Sequence, residues 1–376
     1  MKVAYDISLL GTGYINPKSR TGIFRVAEAL FLELGLQKPI DLFAVPLNEQ
    51  SSIWDSISAK YYFQALHPEL ESHFCSIYSS NSHLERLYQS VIKLQRTLIQ
   101  NSIQTKPFSY KLALTLRLPF DWLAAWDGNL QFDRTSYDVY HSVYYALPDR
   151  KILGNLPRIL TIHDLIPVLY PEWMSTKKTR QFQRILNSID RDRDWIICNS
   201  QHTKQDFCHY TGMDDDRVFV TPLAVASFFQ PVTDTTLIAE TSQRYHIPDR
   251  PYLLSLATLE PRKNLAFLIR CFSELINDDP TLDLNLVLVG VSGWKNSEIF
   301  DAARQNPQLS SRIIFTGYLP DEDLSAIYSG ATAFVYPSLY EGFGLPPLEA
   351  MQCGTTRHHF QYKLPTRSGW GCWNFD

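Results

Sequence analysis

The chain has 376 residues, of which 45% are hydrophobic and 20% are charged, so it is long enough for two domains with buried cores. Its 35 basic and 39 acidic residues give a formal net charge of −4. This balance provides no global positive field for nucleic acid or for an anionic membrane, and any anion must be bound by a local group of residues.

Cysteine usage and hydropathy indicate a cytoplasmic protein. The six cysteines have no C-x-x-C spacing, which favours a reducing compartment, and residues 1–8 have the pattern of a strand rather than of a signal peptide. No apolar run approaches the roughly 20 residues that a membrane-spanning helix needs. The sequence therefore predicts at most peripheral contact with the inner face of a membrane.

Short apolar runs alternate with helix-length amphipathic segments along the chain, which predicts an α/β fold with parallel sheets covered by helices. The predicted strands are Lys2–Ile7, Ile40–Val45, Arg158–Ile162, Trp195–Cys198, Val218–Thr221, Tyr252–Ala257, Leu284–Val289, Ile313–Phe315 and Ala333–Tyr336. Two such sets of strands predict two doubly wound, Rossmann-like domains that face a cleft, where a ligand is expected.

The predicted boundary between the two domains follows residue 230. The polar stretch Pro231–Thr236 has the composition of a linker, so we expect a first domain at 1–230 and a second at 231–355. Long polar and aromatic helical patterns, such as Leu84–Ile99, interrupt the strand rhythm at about 51–137 and predict an insertion in the first domain.

Near the start of the chain, the segment Ser19–Arg25 precedes a predicted helix. Gly22 lacks a side chain and would admit a sugar or a phosphate close to the backbone, with Arg25 as an anion contact. An ordinary loop that leads into a helix explains the same residues equally well.

His163 and Asp164 follow the predicted strand Arg158–Ile162 directly. Doubly wound sheets hold their ligands at the carboxyl ends of their strands, so this position favours a role in binding or catalysis. A histidine with a purely structural role is the alternative.

The segment Glu260-Pro261-Arg262-Lys263-Asn264 follows a strand and opens an amphipathic helix. The first turn of a helix offers unpaired N–H groups and a positive dipole end, and a guanidinium with an ammonium can neutralise a diphosphate. The alternative is a solvated helix start. Cations are normally favoured at the opposite end of a helix, which supports the functional interpretation.

A second motif places seven residues between Glu341 and Glu349. Gly342 and Gly344 allow the backbone to approach a ligand, and the prolines after Leu345 suit the first turn of a helix. Glu349 would then lie near the start of that helix, where a carboxylate can accept both hydroxyls of a ribose. Glu341, on the loop, would reach a sugar.

Together these segments resemble the retaining GT-B glycosyltransferases of family 4 (group 1), from the first strand to Thr355. The matching segments occur in the family's order: Gly22, His163-Asp164, Asn199–Asp206, Val220–Ala224, Glu260–Asn264, Leu288–Gly290 with Gly293-Trp294, Phe315–Tyr318 and the paired glutamates. The resemblance implies a GT-B fold whose first domain binds the acceptor and whose second domain binds the nucleotide sugar.

The resemblance also implies roles for individual residues. Arg262 and Lys263 would bind the donor diphosphate, Glu349 the ribose, and His163 a sugar hydroxyl near the reacting carbon. The transferred sugar would contact Glu341 and the residues after it, with Gly22 as a further donor contact: Gly342, Phe343, Gly344 and Leu345. No metal or cofactor is expected, since the cations would do the electrostatic work of a metal ion.

The Glu-Pro-Arg-Lys-Asn form is similar to that of bacterial mannosyltransferases that use GDP-mannose. We therefore expect retaining transfer of mannose to a saccharide or lipid-linked acceptor in polysaccharide biosynthesis. UDP-glucose-dependent glucosyltransferases share the same frame of motifs and are the alternative donor class. Nucleic acid is not an expected partner.

The last residues depart from the family pattern. After Thr355 the family continues with a Pro-Val-Ile strand, whereas residues 356–376 have a glycine, tryptophan and basic composition without helical or strand period. Permitted codons for this tail, started from their second base, encode PVITSNTSSLPEVVGDAGIL. We therefore interpret the tail as frameshifted and the second domain as incomplete. A truncated product that at most binds nucleotide weakly is the alternative function.

Overall fold

The structure of the protein is a computed structural model. It describes residues 1–16, 20, 22–48, 53–79, 82–102, 113, 115, 119–120, 123, 129–355 and 357–359. The chain divides into two compact units: the first comprises Met1–Val168 and Thr176–Pro222, and the second comprises Leu169–Ser175 and Leu223–Asp376.

The first unit contains a parallel sheet and a short antiparallel pair of strands. The strands are β1 (Lys2–Asp6), β2 (Asp41–Val45), β3 (Tyr78–Ser79), β4 (Asn129–Leu130), β5 (Val139–Ser142), β6 (Arg158–Ile162), β7 (Trp195–Cys198) and β8 (Val218–Val220). The six-stranded sheet has the order β2–β1–β5–β6–β7–β8 with every pair parallel, while β3 pairs with β4. The strand order reverses at β1, as in doubly wound folds.

The helices with fully described bounds up to residue 222 are α1 (Ser8–Ile15), α2 (Gly22–Gly35), α3 (Ile53–Leu66), α4 (Ser82–Ser102), α5 (Arg150–Leu153), α6 (Ile166–Leu169), α7 (Thr176–Asn187) and α8 (Gln201–Thr211). Helices α3 and α4 come from the predicted insertion. Trp54 of α3 and Tyr88 of α4 are fully buried in the same apolar cluster as Tyr5 of β1. The described helices of this stretch therefore belong to the core of the first unit.

The second unit contains a five-stranded parallel sheet with the order β11–β10–β9–β12–β13. Its strands are β9 (Tyr252–Leu256), β10 (Asn285–Val289), β11 (Ile313–Gly317), β12 (Ala333–Tyr336) and β13 (Arg357–His359). Along β10, Leu286 and Leu288 enter one apolar cluster, and Val287 and Val289 enter another. Because successive side chains of a strand point to opposite faces, both faces of this sheet are covered.

The helices of the second unit after residue 223 are α9 (Thr235–Arg244), α10 (Leu265–Asp278), α11 (Ser297–Arg304), α12 (Asp321–Gly330) and α13 (Leu345–Gln352). The sheet order makes β9 and β12 neighbours, and they run parallel. The loops that follow them therefore leave the sheet at the same edge. Glu260–Lys263 lies on the first of these loops, and Glu341 lies on the second.

The structure confirms each strand that the sequence predicts, with ends that differ by about two residues or fewer. It also confirms a helix over Leu84–Ile99, within α4. The sequence prediction missed β5, which lies between β1 and β6 in the centre of the first sheet.

The split between the units follows Pro222, whereas the predicted boundary follows residue 230, and the stretch Leu169–Ser175 joins the second unit. Within the predicted tail, residues 356 and 360–376 lie outside the described residues. The described residues Arg357–His359 form β13 and pair with β12, although the tail shows no strand period. This strand is defined by its backbone hydrogen bonds to β12, which form without an alternation of apolar and polar side chains.

No helix in the described ranges has both the length and the apolar character needed to cross a membrane. The cysteines of the same ranges are free thiols: Cys75, Cys198, Cys208, Cys271 and Cys353.

Gly290 lies where β10 ends and marks a close approach of two backbone segments. Its φ is +146°, and a Cβ atom built on it would lie 2.0 Å from the carbonyl oxygen of Ala257. Its N–H donates to Gly317 O at 2.9 Å. Only glycine fits here without displacing the segment that leads from β9 towards Glu260.

We expect Gly290→Ala to lower the free energy of unfolding by about 2 kcal/mol or more, because it adds both a steric clash and an unfavourable φ. Urea unfolding followed by circular dichroism measures the change. Gly35→Ala is the control, since an added Cβ at this position meets nothing closer than 4.0 Å. Equal stability of Gly290→Ala and wild type would contradict the analysis.

Candidate functional site

The segment after β9 presents two cations immediately before helix α10. Pro261–Lys263 forms a single 3-10 turn, and Asn264 adopts a left-handed conformation (φ 55°) before α10 begins at Leu265. Asparagine tolerates this conformation better than most residues. The turn places Arg262 and Lys263 at the helix start, as the sequence predicts.

The loop after β12 carries Glu341 and ends at helix α13. Gly344 has φ +102° and ψ 67°, a conformation that favours glycine, and Pro346 and Pro347 occupy the first turn of the helix. Glu349 lies in the second turn of α13, slightly further from the helix start than predicted. Gly342, Phe343 and Leu345 lie between these landmarks, with Gly342 buried and the other two partly buried.

The two loops meet through ion pairs on Glu341. Arg262 Nη1 lies 2.7 Å from Glu341 Oε2, and Lys263 Nζ lies 2.5 Å from Glu341 Oε1. The side chains of all three residues are at most 16% exposed. The structure therefore joins Arg262, Lys263 and Glu341, which the sequence identifies in two separate motifs, into one cluster of charges.

Glu260 completes this cluster as a second acid. Its Oε1 accepts a hydrogen bond from Arg262 Nη2 at 2.7 Å, and its side chain is only 4% exposed. Arg262 Nη1 also donates to the carbonyl oxygen of Tyr340 at 2.8 Å. The guanidinium is thus held from both ends, and the four formal charges of Glu260, Arg262, Lys263 and Glu341 cancel.

The cluster keeps Glu341 ionised. Burial acts to raise the pKa of Glu341, but the charges of Lys263 and Arg262 outweigh it, and the pKa falls to about 2. Burial also lowers the pKa of Lys263, and the charge of Glu341 opposes that shift. A buried carboxylate at this position is therefore maintained by its two cations.

Two buried tyrosines hold the charged side chains in place. Lys263 Nζ donates to Tyr336 Oη at 3.0 Å and lies 5.1 Å from the centre of its ring. Tyr328 of α12 donates to Glu349 Oε2 at 2.9 Å. Glu349 is only 2% exposed, and Tyr328 is fully buried. Burial raises the pKa of Tyr336, and so do the charge of Glu341 and a hydrogen bond with it, so each predicted glutamate interacts with a tyrosine.

Glu260, Tyr336 and Tyr328 were not identified as site residues from the sequence. Glu260 is part of the recognised Glu-Pro-Arg-Lys-Asn motif, so its charge next to Arg262 was an available signal. Tyr336 and Tyr328 lie in an apolar strand and an amphipathic helix, where a tyrosine is ordinarily a core residue.

In the first unit, His163 follows β6 and has defined partners. Its Nε2 lies 2.8 Å from the carbonyl oxygen of Val143, so Nε2 must carry the proton. Its own carbonyl oxygen accepts from Asn199 Nδ2 at 2.9 Å. Burial lowers the pKa of His163, and the neutral ring then offers Nδ1 as a hydrogen-bond acceptor.

The other predicted residues of the first unit have local roles in the structure. Asp164 Oδ1 accepts the backbone N–H of Ile166 at the start of α6. Gly22 is the first residue of α2, and a Cβ added to it would meet nothing within 4 Å. Residues 19 and 21 of the predicted segment Ser19–Arg25 lie outside the described residues.

A further buried acid lies at the end of β1. Asp6 Oδ1 accepts both the backbone N–H and the hydroxyl of Ser8, at 2.9 and 2.5 Å. Burial raises the pKa of Asp6 to about 7. These contacts fix the start of α1.

Two stretches of the chain match models of known protein families. Residues 80–226 match the model described as Glycosyltransferase Family 4. Residues 238–357 match the model described as Glycosyl transferases group 1, and this stretch contains Arg262, Lys263, Glu341 and Glu349. Both units of the structure therefore contain a glycosyltransferase family match.

Mannosyltransferases are among the proteins of similar sequence. The chain is 31% identical over 217 residues to the O-antigen chain mannosyltransferase B of Escherichia coli, which covers 57% of this chain and 55% of that protein. It is 35% identical over 221 residues to the serotype-specific mannosyltransferase WbdA of Escherichia coli, covering 57% of this chain and 27% of that protein. The chain thus spans about half the length of the first relative.

A solved structure supports the fold. The crystal structure of Anabaena HepE in complex with UDP aligns with a TM-score of 0.53 at 16% identity, covering 95% of this chain and 79% of that chain. Together with the two parallel sheets, this likeness confirms the predicted α/β fold of the GT-B class.

The pKa of Glu341 predicts how stability depends on acid. Its value is about 2 in the folded protein, against an ordinary value of 4.5. The folded state thus binds the proton more weakly than the unfolded state, so ionised Glu341 stabilises the fold above pH 4.5. This contribution is lost as the pH falls from 4.5 towards 2.

We expect Glu341→Gln to be less stable than wild type by about 3 kcal/mol at pH 7, because it leaves buried Lys263 without its paired acid and Arg262 with Glu260 only. The difference should shrink between pH 4.5 and pH 2, as measured by urea unfolding at a series of pH values. Glu298→Gln, which alters an exposed acid paired with Arg270, should show no such dependence. A difference that stays constant over this pH range would contradict the assignment.

Proposed function

Since two stretches of this chain match glycosyltransferase family models, we propose that the protein transfers a hexose from a nucleoside diphosphate sugar to an acceptor hydroxyl with retention of configuration. The proposed donor is GDP-mannose, and the proposed acceptor is a saccharide or a lipid-linked saccharide. A lipid-linked acceptor would bring the cytoplasmic protein to the inner face of a membrane.

The observation that carries this proposal is the convergence of Arg262 and Lys263 on one carboxylate. Both cations approach the two oxygens of Glu341 at 2.7 and 2.5 Å, in a setting where charges are shielded from water. The oxygens of a diphosphate present the same kind of acceptor to a guanidinium and an ammonium. A donor diphosphate would replace the Glu341 oxygens on these cations and release Glu341 towards the hydroxyls of the sugar.

The remaining site residues take complementary parts in the proposal. Glu349 would bind the ribose while Tyr328 donates a hydrogen bond to Glu349 Oε2. The backbone from Gly342 to Leu345 would lie along the sugar and its phosphate. The neutral ring of His163 would accept a hydrogen bond from a sugar hydroxyl. Gly22, with open space where a Cβ would lie, would admit the donor close to the start of α2.

The chemistry follows from where charge develops. The bond between the anomeric carbon and the phosphate oxygen breaks, and the positive charge on the sugar ring and the negative charge on the leaving diphosphate grow together. Arg262 and Lys263 stabilise the leaving diphosphate without a metal ion. The acceptor oxygen forms its bond on the same face of the sugar, and its proton passes to the departing phosphate oxygen.

Mannose is favoured by sequence similarity. The relatives described above are mannosyltransferases, and the Glu-Pro-Arg-Lys-Asn form of the cation segment is similar to that of enzymes using GDP-mannose. A comparison of donors tests this assignment. In the presence of EDTA, we expect hydrolysis or transfer with GDP-mannose and none with UDP-glucose. Activity restricted to UDP-glucose would overturn the choice of donor. Activity with neither would overturn the proposed transfer in favour of the alternative, a product that at most binds nucleotide weakly.

Removal of one cation from the cluster tests its role. We expect Arg262→Ala to lower kcat/KM for the donor about 100-fold, since one charged contact to a leaving group typically contributes this much. Arg270→Ala is the matched control, because Arg270 is an exposed arginine of α10 whose ion pair with Glu298 lies on the surface. Steady-state kinetics with both variants give the comparison. Equal losses in both would contradict a specific role for Arg262.

A further inference from the structure

A short stretch of the chain packs on the second unit although both of its sequence neighbours belong to the first. This stretch, Leu169–Ser175, is called the strap here; it contains the 3-10 turn Pro171–Trp173. None of its residues belongs to the motifs described above. Its contacts within the second unit lead directly to the loop that carries Glu341.

The strap is fastened at one end to the loop after β10. Trp294 Nε1 donates to the carbonyl oxygen of Trp173 at 2.6 Å, and Lys295 Nζ donates to the carbonyl oxygen of Glu172 at 3.0 Å. The same loop also contacts the segment after β9 that carries Arg262 and Lys263, because the N–H of Gly293 donates to Leu259 O at 3.0 Å. The strap is thus anchored to a loop that is itself held next to Glu260.

The strap also contacts the residue that precedes Glu341. The ring of Tyr170 stacks on Trp173 at a centroid distance of 4.4 Å and packs against Tyr340 at 5.1 Å. Tyr340 is 8% exposed. Its carbonyl oxygen accepts the hydrogen bond from Arg262 Nη1 at 2.8 Å. One aromatic contact therefore separates the strap from the ion cluster.

We propose that the strap positions the Glu341 loop and that Tyr170 is its positioning residue. Tyr170 restrains Tyr340, which in turn fixes the Arg262 guanidinium and the backbone leading into Glu341. The geometry matters because the ion pairs at 2.7 and 2.5 Å require both loops to keep their places. Without Tyr170, the loop around Tyr340 opens more often, and the two cations are less well arranged for an anion.

The test uses amide hydrogen exchange on the full chain without ligand. The reporter is the amide of Leu339, which donates to Arg262 O at 2.9 Å and so joins the two loops. The amide of Val287, in the middle of β10, reports on the sheet. We expect Tyr170→Ala to speed exchange at Leu339 at least about tenfold relative to Val287, since local opening leaves the sheet intact.

Conservative and control variants separate positioning from general packing. Tyr170→Phe keeps the ring and is expected to retain slow exchange at Leu339. Phe267→Ala removes an exposed aromatic side chain of α10 and is expected to change neither reporter. Unchanged exchange at Leu339 in Tyr170→Ala, or an equal rise at Leu339 and Val287, would overturn the proposal. If Tyr170→Ala does not fold, Trp294→Phe decides by the same criteria, because it removes the hydrogen bond to Trp173.

A second measurement, of GDP binding, rests on the proposed function, and its result is evaluated independently of the exchange data. Calorimetry with GDP is expected to show about tenfold weaker binding for Tyr170→Ala than for Tyr170→Phe, and wild-type affinity for Tyr170→Phe. Equal GDP affinity in the two variants would overturn the role of the strap in anion binding. Failure of the wild type to bind GDP would count against the proposed function, while the exchange data would still decide whether the strap positions the loop.

Discussion

The second unit depends on one electrostatic constraint: charges that are removed from water must be compensated where they lie. Arg262 and Lys263 are largely shielded from solvent, and an unpaired buried cation costs several kcal/mol. Glu341 and Glu260 provide that compensation, which obliges the loop after β12 to lie against the segment after β9. Because β9 and β12 are parallel neighbours, the two loops leave the sheet at the same edge and can contact each other.

Strands that are buried on both faces could be predicted from the sequence because they need apolar residues at nearly every position. Besides the two-residue strands β3 and β4, the prediction missed β5 and β13, which lack this signal. In β5 the run Val139–Ser142 includes His141, which contacts Thr161, and ends in a serine, so its burial rests on polar contacts. In β13 the side chains are polar or basic, and only the backbone of β12 defines the strand.

The residues of the candidate site could be predicted from the sequence, but the contacts between them could not. Positive charges before a helix and glutamates around glycines could be recognised in two segments separately. The ion pairs of Glu341 with both cations depend on the strand order. In the sequence β10 and β11 separate β9 from β12, but in the sheet β9 and β12 are neighbours. The roles of Tyr328 and Tyr170 depend on the same tertiary arrangement, because an isolated tyrosine in an apolar segment predicts only burial.

The balance of charge connects the resting cluster to the proposed chemistry. The charges of the two acids and the two cations cancel, so on the proposed mechanism a diphosphate carrying about two negative charges would compete with an acid for the same cations. Glu260 pairs with Arg262, whereas Glu341 pairs with both cations and lies on a glycine-containing loop, so on the proposed mechanism Glu341 would be the acid that yields. With its pKa near 2 it would leave as a carboxylate rather than by protonation, and a displaced carboxylate needs new hydrogen-bond donors. The hydroxyls of the donor sugar supply such donors, so on the proposed mechanism binding of the diphosphate and capture of the sugar are one coupled event.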